Sequence, residues 1–153
     1  DLLERFETEA ISRIDEEDDT PLFVFAIGIN DSQFHNTTGA FATPLDTFRE
    51  NLERLISAAR RYSSAIIFLG LTPVDDTKVD PIPWIPEVSY KNEYVQQFDA
   101  VIQEVAEVQG VGFIDIFNAF GDNASVLLMD GVHPNSEGHE VILEAVKGYL
   151  EDL

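Results

Sequence analysis

Apolar positions along the chain fall into two rhythms, one helical and one strand-like. Leu2, Leu3, Phe6, Ala10, Ile11 and Ile14 recur at helical spacing and run into an acidic turn over 15–19. The run 21–27 is short and continuously apolar, the pattern of a strand covered on both faces. Leu45, Phe48, Leu52, Leu55, Ile56 and Ala59 predict a second amphipathic helix, and 65–71 a second buried strand. Tyr94, Phe98, Val101, Ile102, Val105 and Val108 predict a third helix, with Gly110 as its stop. The segment 113–117 reads as a third strand, and Val141, Ile142, Ala145, Val146, Tyr149 and Leu150 as a closing helix.

One helix is thus followed by strand and helix three times over. That alternation predicts an α/β fold, a parallel sheet with helices on both faces, in one domain over 1–153. Two loops are longer than the connections need, 32–44 and 72–89. The second carries Pro73, Pro81, Pro83, Trp84 and Pro86. Long loops at the C-terminal rim of parallel strands line binding sites. Three strands make a thin sheet, and the opening helix has no strand before it. The expected whole is a five-strand doubly wound domain whose first β-α-β portion, roughly 30 to 50 residues at about 30 per unit, is missing. Its loss is expected to leave apolar helix faces and one strand edge uncovered, open to self-association or to pairing with the missing N-terminal segment.

Composition narrows the function. The 153 residues are 44% apolar and 10% aromatic, a globular balance, and no apolar run approaches a membrane span. The absence of cysteine removes disulfides, thiolate metal sites and a thiol nucleophile. A net charge of −20, with Lys78, Lys91 and Lys147 the only lysines, argues against nucleic acid and anionic membranes as partners. High-salt adaptation and an ordinary solvated acidic surface both fit that charge, and the compartment, cytoplasmic or secreted, stays open.

Candidate chemistry lies in two loops. In Asp130-Gly131-Val132-His133-Pro134-Asn135, an Asp three residues ahead of a His suits a general base oriented by its own carboxylate. Pro134 biases His133 away from helical dihedrals, and Asn135 or Ser136 can cap the closing helix. In Gly28-Ile29-Asn30-Asp31, the Asn30 carboxamide at a strand end suits an oxyanion donor, and Asp31 an Asx-type turn. Both motifs follow apolar runs that read as strands, so both are expected at one rim of the sheet.

Together the motifs resemble the SGNH, or GDSL-type, hydrolase family. Gly28-Ile29-Asn30-Asp31 is similar to its third block, where the Asn donates to the oxyanion, and Asp130-Gly131-Val132-His133-Pro134 to its fifth, which supplies the triad Asp and His. Glu137-Gly138-His139 and Leu71-Thr72-Pro73 add to the resemblance, which spans about 1 to 150. It implies a flavodoxin-like three-layer α/β/α fold and serine-dependent hydrolysis of carboxylic esters, with catalytic His133 and Asp130 and with Asn30 in the oxyanion hole. It implies no cofactor and no metal. The family's Gly-Asp-Ser block and its second-block glycine do not occur in this sequence, and both are expected upstream of Asp1.

Ser32 is the one internal serine near a strand end, but it lacks a G-x-S-x-G context and would crowd Asn30. His35 and Trp84 are candidate substrate contacts, with a solvated loop His and a hydrophobic plug as the plainer readings. His139 reads as a helix-start residue. A metal held by Asp31, His35, Asp130 and His133 would need two loops to converge without any familiar ligand spacing. The competing class is an inactive fragment or degenerate relative serving as a binding or assembly module.

Overall fold

The computed structural model describes residues 2–14 and 21–152; the acidic run 15–19 lies outside the described residues. Helix α1 (Leu2–Ile11) precedes strand β1 (Phe23–Phe25), two short strands β2 (Phe34–His35) and β3 (Ala40–Phe41), and helix α2 (Leu45–Ala59). Strand β4 (Ile66–Leu69), helix α3 (Asp76–Val79), strand β5 (Val88–Ser89) and helix α4 (Asn92–Gln109) follow. Strand β6 (Gly112–Ile114), helices α5 (Ile116–Phe120) and α6 (Ala124–Leu127), and the closing helix α7 (Ser136–Glu151) complete the order.

Strands β1, β4 and β6 form a parallel sheet in the order β1-β4-β6, with Phe23 opposite Ile66 and Ile67 opposite Gly112. The period-two alternation of β4 divides the core. Ile66 and Phe68 enter one cluster with Phe48, Leu52, Phe98 and Ile102 of α2 and α4, whereas Ile67 and Leu69 enter a second with Ile116, Phe120 and the apolar face of α7. The parallel sheet with helices on both faces expected from the alternation, and the three layers implied by the resemblance, are therefore present. Each fully buried Leu, Ile or Phe of these layers stabilises the fold by about 1.5–3 kcal/mol.

Three expectations need correction. Strand β1 is covered on one face only. Phe23 and Phe25 pack on Phe6 of α1, with ring centroids 5.4 and 5.6 Å apart, while Val24, pointing the other way, is 43% exposed at the edge of the sheet. A continuous apolar run signals burial but does not say on how many sides. The third strand stops at Ile114, because the Asp115 carboxylate accepts from Asn118 N at 2.9 Å and starts α5. The apolar run before Asp130 is no strand. It is α6 followed by an isolated bridge between Leu128 and Pro134.

A second, antiparallel sheet, β3-β2-β5, joins the two long loops. Phe34 pairs with Ser89 and His35 with Val88, and Asn36 N donates to Glu87 O at 2.8 Å. This tie places the segment after β1 against the segment before α4, both above the C-terminal rim of the parallel sheet.

Candidate active site

The turn after β1 depends on Gly28, whose φ is +121°. A Cβ there would lie 2.9 Å from Phe48 Cζ and 3.3 Å from Leu71 Cδ2, so both conformation and space call for glycine. Asp31 N donates to Gly28 O at 3.0 Å and Gln33 N to Asn30 O at 3.4 Å, curling the chain into one helical turn. Ser32 is fully buried, and its hydroxyl donates to Ile29 O at 2.7 Å. It locks the turn and is closed to substrate. The Asx acceptor role expected of Asp31 is not found: no hydrogen bond of the described residues uses its carboxylate, and the turn is closed by backbone bonds and by the donating Ser32 hydroxyl.

Asn30 stands at the exposed end of this turn. Its Oδ1 accepts from the Tyr90 hydroxyl at 2.9 Å, and that hydroxyl accepts from Gln33 Nε2 at 2.6 Å. The carboxamide oxygen is engaged, and no hydrogen bond of the described residues uses its NH2.

The Asp130 loop is fixed by short-range bonds. Asp130 Oδ1 accepts from the backbone N–H of Val132 at 3.0 Å and of His133 at 2.9 Å, while Oδ2 lies 2.8 Å from His133 Nδ1. Met129 N donates to His133 O at 2.9 Å and closes the loop. Partial burial works to raise the Asp130 pKa, but the bonds from His133 and Val132 and the nearby imidazole outweigh it and hold the carboxyl down at about 2. An ionised acceptor at Nδ1 sets the neutral tautomer with hydrogen on Nδ1, leaving the Nε2 lone pair able to take a proton. The His133 side chain is 74% exposed. Asn135 caps α7 by accepting from Gly138 N at 2.9 Å, the first of the two caps offered by the sequence.

Gly131 makes this loop possible. Its φ is +97°, and a Cβ would meet Val79 Cγ1 at 2.9 Å and Lys78 Cβ at 3.0 Å. Its carbonyl accepts from Asp75 N at 2.9 Å, tying the loop to the rim beyond β4. Gly131→Ala is therefore expected to lower the melting temperature, with about 1–3 kcal/mol of backbone strain and about 1–3 kcal/mol of overpacking. A thermal melt checks this; an unchanged midpoint would show that the loop accepts a side chain without cost.

Asn30, Asp130 and His133, separated by some hundred positions in the sequence, line one cleft of about 190 Å³ with Ile82, Trp84 and Ile85 along its wall. Trp84 is 67% exposed at the lip. His35 lies in β2, outside the residues that line the cleft, and His139 is on the exposed side of α7. Among the described residues no three His, Asp or Glu side chains gather as a metal site. Tyr90 and Gln33 are the polar members of this cleft that sequence reasoning missed. Their only signal is the β2–β5 register, carried by strands too short to show any period. The arrangement brings an imidazole bonded to a carboxylate and a carboxamide to the lining of one small cleft.

Comparison with solved structures gives the same fold. An acetylxylan esterase from Geobacillus stearothermophilus superposes with a TM-score of 0.70 at 22% identity, covering 95% of this chain and 64% of that one. A GDSL-like lipase from Bacteroides thetaiotaomicron gives 0.74 at 23%, with 99% and 69% covered. An α/β hydrolase enzyme from the metagenome of Lake Arreo, Spain, gives 0.70 at 20%, with 95% and 64% covered. The chain thus spans less than two-thirds of the acetylxylan esterase. Structures of that esterase include catalytic mutants of a serine, an aspartate and a histidine. No curated protein matches the chain. Residues 1–141 match the profile of the GDSL-like lipase/acylhydrolase family, and the chain belongs to that family.

Proposed function

We propose that this chain carries the base, its orienting carboxylate and the side-chain oxyanion donor of a serine ester hydrolase, with the nucleophilic serine upstream of residue 1. The observation that carries this reading is the shared cleft, which joins an Asp130-oriented His133 to an Asn30 amide whose oxygen is already engaged. Family membership and the catalytic Ser, Asp and His of the acetylxylan esterase support it. The edge of β1, unpaired among the described residues, supports a further strand as the carrier of the serine. A groove of about 430 Å³ beside that edge opens onto Asn30.

In this mechanism the serine oxygen attacks the ester carbonyl carbon and its proton passes to His133 Nε2. The oxygen of the tetrahedral intermediate accepts from Asn30 Nδ2 and from backbone N–H groups of the upstream segment. The C–O bond to the alcohol then breaks, and His133 returns the proton to the departing oxygen. Water repeats the sequence on the acyl-enzyme with His133 as base, releasing the carboxylic acid and restoring the serine. Among the described residues no Lys or Arg lines the cleft, which favours uncharged acyl and alcohol groups.

A fluorophosphonate probe applied to the full-length protein, with the adduct mapped by mass spectrometry, tests the assignment. The expected adduct lies on a serine outside residues 1–153. Labelling of Ser32, or no labelling at all, would overturn it; the second result would leave the chain as a binding or assembly module.

A further inference from the structure

A carboxamide is nearly symmetric in shape, and a half-turn about its last side-chain bond exchanges oxygen for NH2 at almost no steric cost. The two orientations are opposite in chemistry. One offers two donors to a developing oxyanion, and the other places a partial negative charge against it. An exposed Asn on a turn therefore needs something to choose between them. From Gln33, Tyr90 and Asn30 we infer that Tyr90, polarised by Gln33, is a positioning residue that holds the Asn30 carboxamide with its NH2 toward the reacting carbonyl. This inference rests on Asn30 being the oxyanion donor proposed above.

The direction of the relay follows from donor counting. A phenol has one hydrogen to give. Gln33 Nε2 donates to the Tyr90 oxygen at 2.6 Å, so the phenol hydrogen is free to turn to Asn30 Oδ1 at 2.9 Å. Each bond polarises the next in the same sense, from Gln33 through Tyr90 to Asn30. Burial raises the Tyr90 pKa, the Gln33 bond offsets part of that, and the Asp130 charge adds to it, so the hydroxyl stays protonated as a donor.

The scaffold fixes the relay independently of substrate. Tyr90 is 4% exposed, and its backbone N–H donates to Val79 O at 3.0 Å. The antiparallel register that pairs Phe34 with Ser89 puts Gln33 and Tyr90 at the next facing positions. Two segments far apart in the chain are held in register at the point where the relay crosses between them. Tyr90 also borders the cleft, but its hydroxyl is spent on Asn30 and is not free for substrate.

A double-mutant cycle on the full-length enzyme tests this. Tyr90→Phe should lower kcat roughly five- to tenfold with KM near its parent value, the scale of one neutral hydrogen bond. In an Asn30→Ala background the same change should cost less than about twofold. Gln33→Leu, which leaves the buried ring untouched, should act in the same direction with a smaller loss. Equal losses from Tyr90→Phe in both backgrounds, or no loss in either, would overturn the positioning role. If Asn30→Ala itself leaves kcat unchanged, the oxyanion assignment fails first, and the positioning role falls with it for that separate reason. A readout without turnover is the NMR signal pair of the Asn30 NH2, identified by its disappearance in Asn30→Ala. It should shift or broaden in Tyr90→Phe, and an unmoved pair would refute the relay whether or not an ester is hydrolysed.

Discussion

His133→Ala should stop ester turnover in the full-length enzyme, with kcat lower by about 10⁴-fold or more. In the proposed mechanism the imidazole serves twice in each half-reaction, and among the described residues no lysine of the cleft stands ready to replace it. Lys78 is paired with Asp75 at 3.2 Å and Lys91 with Asp80 at 3.1 Å, and neither lines the cleft. The fold should hardly notice the change. The ring is 74% exposed, and the loop is closed by backbone groups that alanine keeps, so stability should stay within about 0.5 kcal/mol. Steady-state rates alongside a thermal melt separate the two effects, and turnover persisting at the parental kcat would remove His133 from the mechanism. Asp130 offers a less clean test, because its carboxylate also holds two backbone N–H groups and its loss would disturb the loop as well as the tautomer.

Asn30→Ala should lower kcat by about 10²–10³-fold and change KM far less. The asymmetry has a physical origin. The ground-state carbonyl oxygen is a weak acceptor and sits short of the donor, whereas the tetrahedral oxygen carries nearly a full charge into a site of reduced dielectric. A donor held in place before reaction is worth most where charge develops, and Asn30 is held by Tyr90 and by the Ser32-locked turn. Michaelis parameters for one ester over the same pH range in both proteins decide the matter. A rise in KM at constant kcat would recast Asn30 as an ordinary substrate contact.

Much of this could be read from the chain. The long helices α2, α4 and α7 carry enough turns for their 3.6-residue period to stand out, and Gly110 ends α4 in the left-handed conformation at φ +64°. Asp130 and His133 were legible because their relation is local, a turn whose geometry is complete within four residues. Asn30 drew notice as a strand-end amide, but β1 ends at Phe25 and the residue stands on the turn that follows. What stayed hidden is long-range or too short to show a rhythm. Strands β2, β3 and β5 have two residues each, so the sheet that brings Gln33 to Tyr90 leaves no pattern. The end of β6 was overrun because Ile116 and Phe117 prolong the apolar run, and the cap that stops the strand is a single side chain, Asp115. The coverage of β1 depends on what packs against it, which no strand encodes alone.

The pairing of β2 with β5 also separates what must stay constant from what is free to vary. The segment 80–87, with Trp84 at its crest, begins and ends on anchored backbone: Asp80 N donates to Asp76 O at 3.0 Å, and Asn36 N binds Glu87 O at 2.8 Å. Ile82 is buried and its N–H donates to Val88 O at 2.9 Å, so the exposed crest 83–85 is the part expected to vary while Tyr90 and Asn30 keep their places. If the chain acts as proposed, exchanging that crest is expected to shift ester preference while the Asp130–His133 pair beneath it keeps its geometry.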